Sequence, residues 1–275
     1  MWSETMKRIF ALTYGMLAYS FFLGTFLYAI LFVGNMWVSK TIDGGPEAPL
    51  ATTIAIDLAV LGVFAVQHSV MARKGFKRVW TRIVPEPVER ATYVVAATSA
   101  LALILWQWKP IARVVWDLSG SAAEPVVQTL FWIGWGVLLL STFLVNHFEL
   151  FGLAQVWAYA ANRKPLAPTF KTPALYRVVR HPIYLGFVIG FWATARMTVG
   201  HLLFSIGTTC YILLGIYFEE RDLIASYGQR YREYCRRVPM LIPFLKRPES
   251  AQKQPNPTAV QAGSTRQERT SPRAL

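Results

Sequence analysis

The sequence predicts an all-α, polytopic membrane helix bundle with five to six transmembrane helices, the last two a short hairpin, and an amphipathic C-terminal helix on the cytoplasmic side. Three observations lead there. Of 275 residues, 54% are hydrophobic and only 16% charged, mean hydropathy is +0.34, and the apolar residues gather into runs near the ~20 residues that a helix needs to cross hydrocarbon. Ten Trp, twelve Tyr and seventeen Phe suit helix ends that place rings at headgroup level. The only cysteines are Cys210, in an apolar run, and Cys235, in a polar one, which excludes a disulfide scaffold. Net charge is +13, and eleven of the 28 Lys and Arg lie between Arg221 and Arg273, with most others in short loops. That is the distribution of a basic inner membrane face, not of a nucleic-acid surface, so lipid headgroups are the expected partner of this charge.

Four spans are clear, at about Ile9–Gly34, Thr52–Met71, Thr92–Trp108 and Val126–Asn146. The first is too long and too aromatic for a cleaved signal peptide and is read as a helix. A fifth apolar region, Pro182–Phe218, is long enough for two helices but carries Arg196, Gly200 and His201 in its middle. It predicts a hairpin of two short helices turning near Val199 and Gly200; the alternative, one span plus a re-entrant piece, reverses the parity of the topology. Alternate connections holding Lys7 and Arg8, Arg73 to Arg90, and Arg163 to Arg180 contain thirteen basic residues, against four (Lys40, Lys109, Arg113 and Arg196) in the other set. This asymmetry puts both termini in the cytoplasm. Residues 1–247 form the expected membrane domain, and residues 248–275, rich in Gln, Pro, Ser, Thr and Arg, an expected disordered basic tail. No internal repeat, Gly-rich phosphate loop or strand segment long enough for a sheet is present, which excludes a doubly wound nucleotide-binding fold.

With this topology the polar residues of the spans nearly all fall at one face. Gln67, His68 and Ser69 close the second helix, Asn146, His147 and Glu149 the fourth; Arg180 and His181 open the fifth, and Glu219, Glu220 and Asp222 close the sixth. Polar groups in spans are costly and usually face a cavity or one another, so a polar pocket at the inner leaflet is expected, although each residue alone suits an ordinary interfacial anchor. His68, His147 and Glu149 are its candidate catalytic groups, on topology alone. A metal is disfavoured, since no His-x-x-x-His or paired Cys occurs and the three histidines come from different helices. A Ser-His-Asp hydrolase is weaker still, for want of a nucleophile-elbow pattern.

Two segments carry more. In Arg180-His181-Pro182-Ile183-Tyr184-Leu185-Gly186, Pro182 suits the first turn of a helix and puts His181 at its mouth, where free backbone N–H groups favour an anion. Tyr184, three residues on, shares that face, and Gly186 admits a close neighbour. After Glu219 and Glu220, the positions Leu223, Tyr227, Tyr231 and Tyr234 form one stripe among arginines, the pattern of an amphipathic helix lying on the inner surface.

Read together, Arg180-His181-Pro182-x-Tyr184-x-Gly186 and Glu219-Glu220-x-x-Leu223 leading to Gly228-x-x-Tyr231-x-x-Tyr234-x-x-x-Val238-Pro239 resemble the isoprenylcysteine carboxyl methyltransferase and phospholipid methyltransferase superfamily. Over roughly residues 5–247, Val66-Gln67-His68-Ser69 and Asn146-His147-Phe148-Glu149-Leu150-Phe151-Gly152-Leu153 are similar to the nurim-like family and, within it, to the bacterial methanethiol S-methyltransferases. The resemblance implies an S-adenosylmethionine-dependent enzyme of the bacterial inner membrane that methylates a small thiol to dimethyl sulfide. It implies cofactor contacts from His181, Tyr184, Glu219 and Glu220, with Arg180 orienting a carboxylate. Prenylated cysteine carboxylates and phospholipid amines stay open as rival substrates, and a non-enzymatic nurim-type protein as the rival class.

Overall fold

The computed structural model describes residues 3–163, 170–243 and 245. In chain order these form α1 (Glu4–Val33), α2 (Leu50–Met71), α3 (Lys74–Trp80), α4 (Glu86–Gln107), β1 (Val114–Asp117), α5 (Glu124–Val145), α6 (His147–Leu150), α7 (Leu153–Ala160), α8 (Pro182–Trp192), β2 (Arg196–Thr198), α9 (Val199–Tyr227) and α10 (Gln229–Arg237), with a 3₁₀ turn at Ala174–Arg177. The tail expected at 248–275 lies outside the described residues. Local chemistry sets the boundaries. Ser3 caps α1 by accepting from the Met6 amide, and α4, α5 and α8 carry a proline in the first turn, where no N–H is lost to the helix. Gly228, at φ +56°, takes a left-handed turn and separates α9 from α10.

α1, α2, α4, α5 and α9 are long and apolar enough to cross a membrane, and the protein is a multi-pass integral membrane protein. Many large apolar side chains face outward, among them Leu17 (65% exposed) and Val66 (64%), as a lipid-facing bundle requires. The hairpin differs from the sequence reading. Its second arm is α9, a 29-residue helix, while the first holds only the 11 residues of α8, about 16 Å of rise. Residues 193–195 turn irregularly after it and lead into β2. The turn therefore precedes Val199, because Thr198 caps α9 by accepting from the His201 amide at 3.1 Å. The expectation of no sheet also needs correction: β1 and β2 pair antiparallel in a two-stranded ribbon, too short to show as an alternating pattern. A third difference is that the amphipathic stripe is split by Gly228, and Leu223, Tyr227, Tyr231 and Tyr234 face a cleft rather than a lipid surface.

α8 packs against α5 backbone to backbone. A Cβ on Gly186 would lie 2.7 Å from both the Gly134 carbonyl oxygen and the Leu138 amide nitrogen; one on Gly134 would lie 2.7 Å from the Gly190 amide nitrogen. Small residues spaced Gly186-x-x-x-Gly190 are what such close approach demands between membrane helices. Around this seam Phe26, Phe131, Trp135, Phe187 and Phe191 interlock edge to face, with Trp135 and Phe191 centroids 5.9 Å apart at 73°, a favoured geometry of aromatic pairs.

The two ends of the bundle differ. At one end Asp57, fully buried, accepts from the Lys109 amide at 2.9 Å, and Asp43 accepts from Thr198 and, at 2.7 Å, from Asn35. Polar residues of the spans are thus not confined to one face; here they cap loops. At the other end meet the N-terminal part of α1, the C-termini of α2 and α5, the N-termini of α4 and α8, and the C-terminal part of α9. The ties include Arg73 to Asp222 (3.3 Å), buried Glu89 to Lys77 of α3 (2.8 Å) and Arg90 to the Leu150 carbonyl (2.8 Å). Because the α5–α8 seam has no room for a methyl group, Gly186→Ala is expected to destabilise the bundle by about 1–3 kcal/mol, and Gly186→Val by more. Thermal unfolding of the detergent-purified variants measures this.

Candidate functional site

The site is assembled where α8 begins. Just before Pro182 the chain is irregular, and the Arg180 and His181 amides donate to the carbonyls of Pro239 (2.9 Å) and Met240 (3.2 Å). The segment after α10 is thereby stitched onto the mouth of α8. The Arg180 guanidinium, nearly buried, completes the lock: Nε and Nη2 donate to Glu220 Oε1 at 2.8 and 2.7 Å, and Nη1 to the carbonyls of Cys235 (3.0 Å) and Val238 (2.6 Å). His181 Nε2 lies 3.1 Å from the same Glu220 oxygen. Such shared charge-assisted bonds fix geometry as well as charge.

Glu220 is thus held through Oε1, while its neighbour Glu219 is less tightly held, with the Tyr184 hydroxyl as its hydrogen-bond partner. The Glu219 side chain is 44% exposed, and its Oε2 stands 3.8 Å from His181 Nδ1, too far for a hydrogen bond. It opens into a cleft of about 170 Å³ lined by Phe170, Lys171, Tyr176, Arg180, His181, Glu219, Leu223, Tyr227, Tyr231 and Tyr234. Typical ligand pockets enclose ~300 Å³ or more, so a cofactor-sized ligand would extend past this mouth. Burial raises the Tyr176 and Tyr231 phenols well above the usual tyrosine range and pushes Tyr234 up to about 12, so all three stay neutral donors at physiological pH. A half-exposed carboxylate among aromatic faces suits a cation or ammonium group, and Lys171 at the rim suits a carboxylate.

The expected cofactor residues Arg180, His181, Tyr184, Glu219 and Glu220 do come together. The Tyr184 ring lies tilted against His181, centroids 5.7 Å apart at 41°, and its hydroxyl hydrogen-bonds Glu219 and lies within electrostatic reach of Tyr211 and Tyr93. Those two tyrosines lead on to His68: the Tyr93 hydroxyl is 3.0 Å from His68 Nε2, and the Tyr211 ring meets the imidazole edge-on at 6.4 Å. These tyrosines link the Glu219 side of the site to His68, whose Nδ1 is buried and has no hydrogen-bond partner among the described residues.

His147 and Glu149 sit elsewhere, between α1 and α5. Thr142 donates its hydroxyl hydrogen to the Leu139 carbonyl (2.7 Å), so at 2.9 Å from His147 Nδ1 it accepts. His147 Nε2 is left to accept from Tyr19 at 2.8 Å, and Phe143 stacks on the ring at 4.3 Å. Both nitrogens are satisfied. Glu149 accepts from the Asn146 side-chain amide at 2.7 Å, while Asn146 Oδ1 accepts from the Glu149 amide, a reciprocal cap of α6. Neither group has a recorded hydrogen bond or ion pair to Glu219 or Glu220. Among the described residues no group of three or more His, Cys, Asp or Glu is placed to hold a metal ion.

Phe170, Tyr176, Tyr93 and Tyr211 were not picked out from the sequence. The only available signal for the last two was a hydroxyl inside an apolar span, which lipid disfavours.

Burial holds the His147 imidazole below its ordinary proton affinity. The unfolded chain then binds the proton first as pH falls below about 6.5, so the stability from neutral His147 is present at neutral pH and lost toward acid. The melting temperature is expected to drop between about pH 7 and about pH 5, and His147→Gln to flatten that drop.

The family described as NnrU protein matches residues 58–239. The methanethiol S-methyltransferase of Mycobacterium tuberculosis is 52% identical over 242 residues, covering 88% of this chain and 99% of the relative. That of Pseudomonas deceptionensis is 49% identical over 245 residues, covering 89% and 94%. Human Nurim is 29% identical over 214 residues, 72% of this chain and 76% of its own. No solved structure matches the chain. The family match spans well over half the chain and takes in the later part of α2 and all of α4, α5, α8 and α9 with the Arg180–Glu220 lock; the protein belongs to the NnrU family, alongside the methanethiol S-methyltransferases.

Proposed function

We propose that this protein transfers a methyl group from S-adenosylmethionine to methanethiol, forming dimethyl sulfide, at a cytoplasm-facing site in the bacterial inner membrane. The observation that carries the reading is the pair of adjacent carboxylates at the end of α9. Arg180 and His181 hold Glu220, while Glu219 is left open beside an aromatic cleft, in a chain about half identical to named methanethiol S-methyltransferases over nearly its full length. The thirteen-to-four bias of basic residues supports a cytoplasmic location for this end and for both termini. Residues 1–247 form the functional unit in this reading.

The residues present fit the cofactor. Glu219 and the faces of Tyr227, Tyr231 and Phe170 suit a sulfonium and an amino group, His181 at the start of α8 and Lys171 suit a carboxylate, and neutral Tyr176 and Tyr234 offer ring faces for adenine. When bound, S-adenosylmethionine supplies a methyl group made electrophilic by the sulfonium charge. The chain's own task is chiefly alignment of the sulfur nucleophile with that methyl, which can supply much of the rate. The Arg180–Glu220–His181 lock holds the cleft wall still, and Tyr184 with Glu219 forms its inner end. An alkyl thiol is mostly protonated near neutral pH, as cysteine at a pKa of about 8.5 shows, so a proton acceptor helps. His68 has a nitrogen without a partner among the described residues, whereas both nitrogens of His147 are engaged; this favours His68. A small apolar thiol reaches such a site through the bilayer, which accounts for catalysis inside a membrane.

Membranes carrying the protein are expected to convert methanethiol and methyl-labelled S-adenosylmethionine to labelled dimethyl sulfide. His68→Ala is expected to lower kcat by about 100-fold and His147→Ala to leave it largely intact. Glu219→Gln should weaken cofactor binding by about tenfold or more, ~1.4 kcal/mol. Failure of the purified wild-type protein to bind S-adenosylmethionine overturns the reading.

A further inference from the structure

We propose that the end of the bundle opposite the Glu219 cleft carries a second binding site, which takes the zwitterionic headgroup of a phosphatidylethanolamine from that leaflet, with Asp43 receiving its ammonium group and Arg196 its phosphate. This site stands independently of methyl transfer.

A cavity of about 310 Å³ lies at that end, lined by Asn35, Thr41 and Asp43 of the α1–α2 connection, Ala112 ahead of β1, and Arg196 and Thr198 of β2. It is larger than the Glu219 cleft and stands at the lower end of ligand pockets, ~300 Å³, room for a headgroup but not for a whole lipid. Both walls are fixed before a ligand arrives. Ile42, fully buried, donates its amide to the Phe32 carbonyl (3.0 Å) and accepts at its own carbonyl from the Trp108 indole (3.1 Å). Thr41 and Gly44 close a turn through reciprocal backbone bonds of 3.1 and 3.3 Å. Opposite them, the Val199 and Gly200 amides donate to the carbonyls of Arg113 (2.8 Å) and Ile111 (3.1 Å), and a Cβ on Gly200 would lie 2.8 Å from the Ile111 amide nitrogen. Such preorganisation spares a ligand the cost of ordering its site.

Two opposite charges face this space, and neither is used up. Asp43 accepts from Thr198 and, at 2.7 Å, from Asn35. Both donors are neutral, so they orient the carboxylate without matching its charge, and each carboxylate oxygen has room for a second donor. His201 Nδ1 stands 3.9 Å from Asp43 Oδ2, outside hydrogen-bond range, while His201 Nε2–H donates to the Phe191 carbonyl at 2.9 Å. Among the described residues no Lys or Arg pairs with Asp43, whose side chain is 16% exposed. Arg196, 57% exposed, has only Asp117 Oδ2 at 3.7 Å from its Nε, a surface pair of little energy. Its terminal nitrogens are left for a two-pronged contact with phosphate.

The rim of the cavity points to a lipid as the source of this zwitterion. Trp37, two positions from Asn35, is 87% exposed. Val114, exposed, pairs with Thr198 across the ribbon, and Val115 beside it is exposed as well. Rings and apolar side chains turned outward at a helix end suit the boundary between headgroups and hydrocarbon, and here they give acyl chains a surface next to the polar cavity. The amine decides which lipid. An ammonium group donates N–H to Asp43, whereas a trimethylated choline has no N–H to give and a glycerol headgroup carries no positive charge.

The test is native mass spectrometry of the full-length protein in detergent, titrated with dioctanoyl phosphatidylethanolamine, with the choline and glycerol lipids of the same chains, and with free phosphoethanolamine. The ethanolamine lipid is expected to fill one site about tenfold or more tighter than each of the other three probes. Arg196→Gln and Asp43→Asn should each weaken it about tenfold, through loss of a hydrogen bond between charged groups, and Asp43→Asn should bring the ethanolamine and choline lipids level. Because Arg196 sits on an exposed ribbon, Arg196→Gln reads the site even where Asp43→Asn does not fold. Equal binding of the three lipids, or ethanolamine-lipid binding unchanged in Arg196→Gln, overturns the proposal. Free phosphoethanolamine binding as tightly as its lipid overturns the lipid assignment and makes the site one for a dissolved zwitterion.

Discussion

The α5–α8 contact is the constraint on which the site depends. An 11-residue helix is too short to cross a bilayer alone and has little area with which to hold itself in a bundle. It is held because Gly134, Gly186 and Gly190 let two backbones touch, so many weak dispersion contacts act at their best distance. In lipid, where exposed apolar surface is not driven together by water, such packing is the main source of helix association. Where α8 sits decides where its first residues, Arg180 to Tyr184, can reach.

From that fixed point the electrostatics follow. Arg180 binds one carboxylate of α9 and two carbonyls at the end of α10, those of Cys235 and Val238, tying the mouth of α8 to both helices. With the Glu220 charge matched by Arg180, the half-exposed Glu219 becomes the main negative feature of the cleft. Two adjacent and chemically identical residues thereby take different tasks, one structural and one available to a ligand, purely through the neighbours each one meets.

The same logic separates the histidines. His147 and His68 both terminate apolar helices and look alike in sequence. Thr142 and Tyr19 use both nitrogens of the first, which makes it a satisfied packing group in an aromatic nest. Tyr93 uses one nitrogen of the second and leaves the other without a partner among the described residues. Hydrogen-bond accounting, more than proximity, distinguishes a joint of the scaffold from a side chain with bonding capacity left over.

The spans themselves were legible in the sequence because crossing hydrocarbon imposes a length and a composition on each helix separately: α1, α2, α4 and α5 fall close to the apolar runs that announce them. The shared end of the polar clusters was legible too, since alternation of helices leaves few choices of side. The two motifs around His181 and Glu219 stood out as unusual chemistry at helix ends. The unequal arms of the hairpin, the ribbon of β1 and β2, and the fold of the Leu223–Tyr234 stripe into a cleft wall were not, because each depends on contacts between residues distant in the chain. Which of Glu219 and Glu220 opens to the cleft, and which of His68 and His147 keeps an open nitrogen, were settled only by tertiary structure. A side chain's type sets what bonds it can make, but the partners that consume those bonds are brought by other helices.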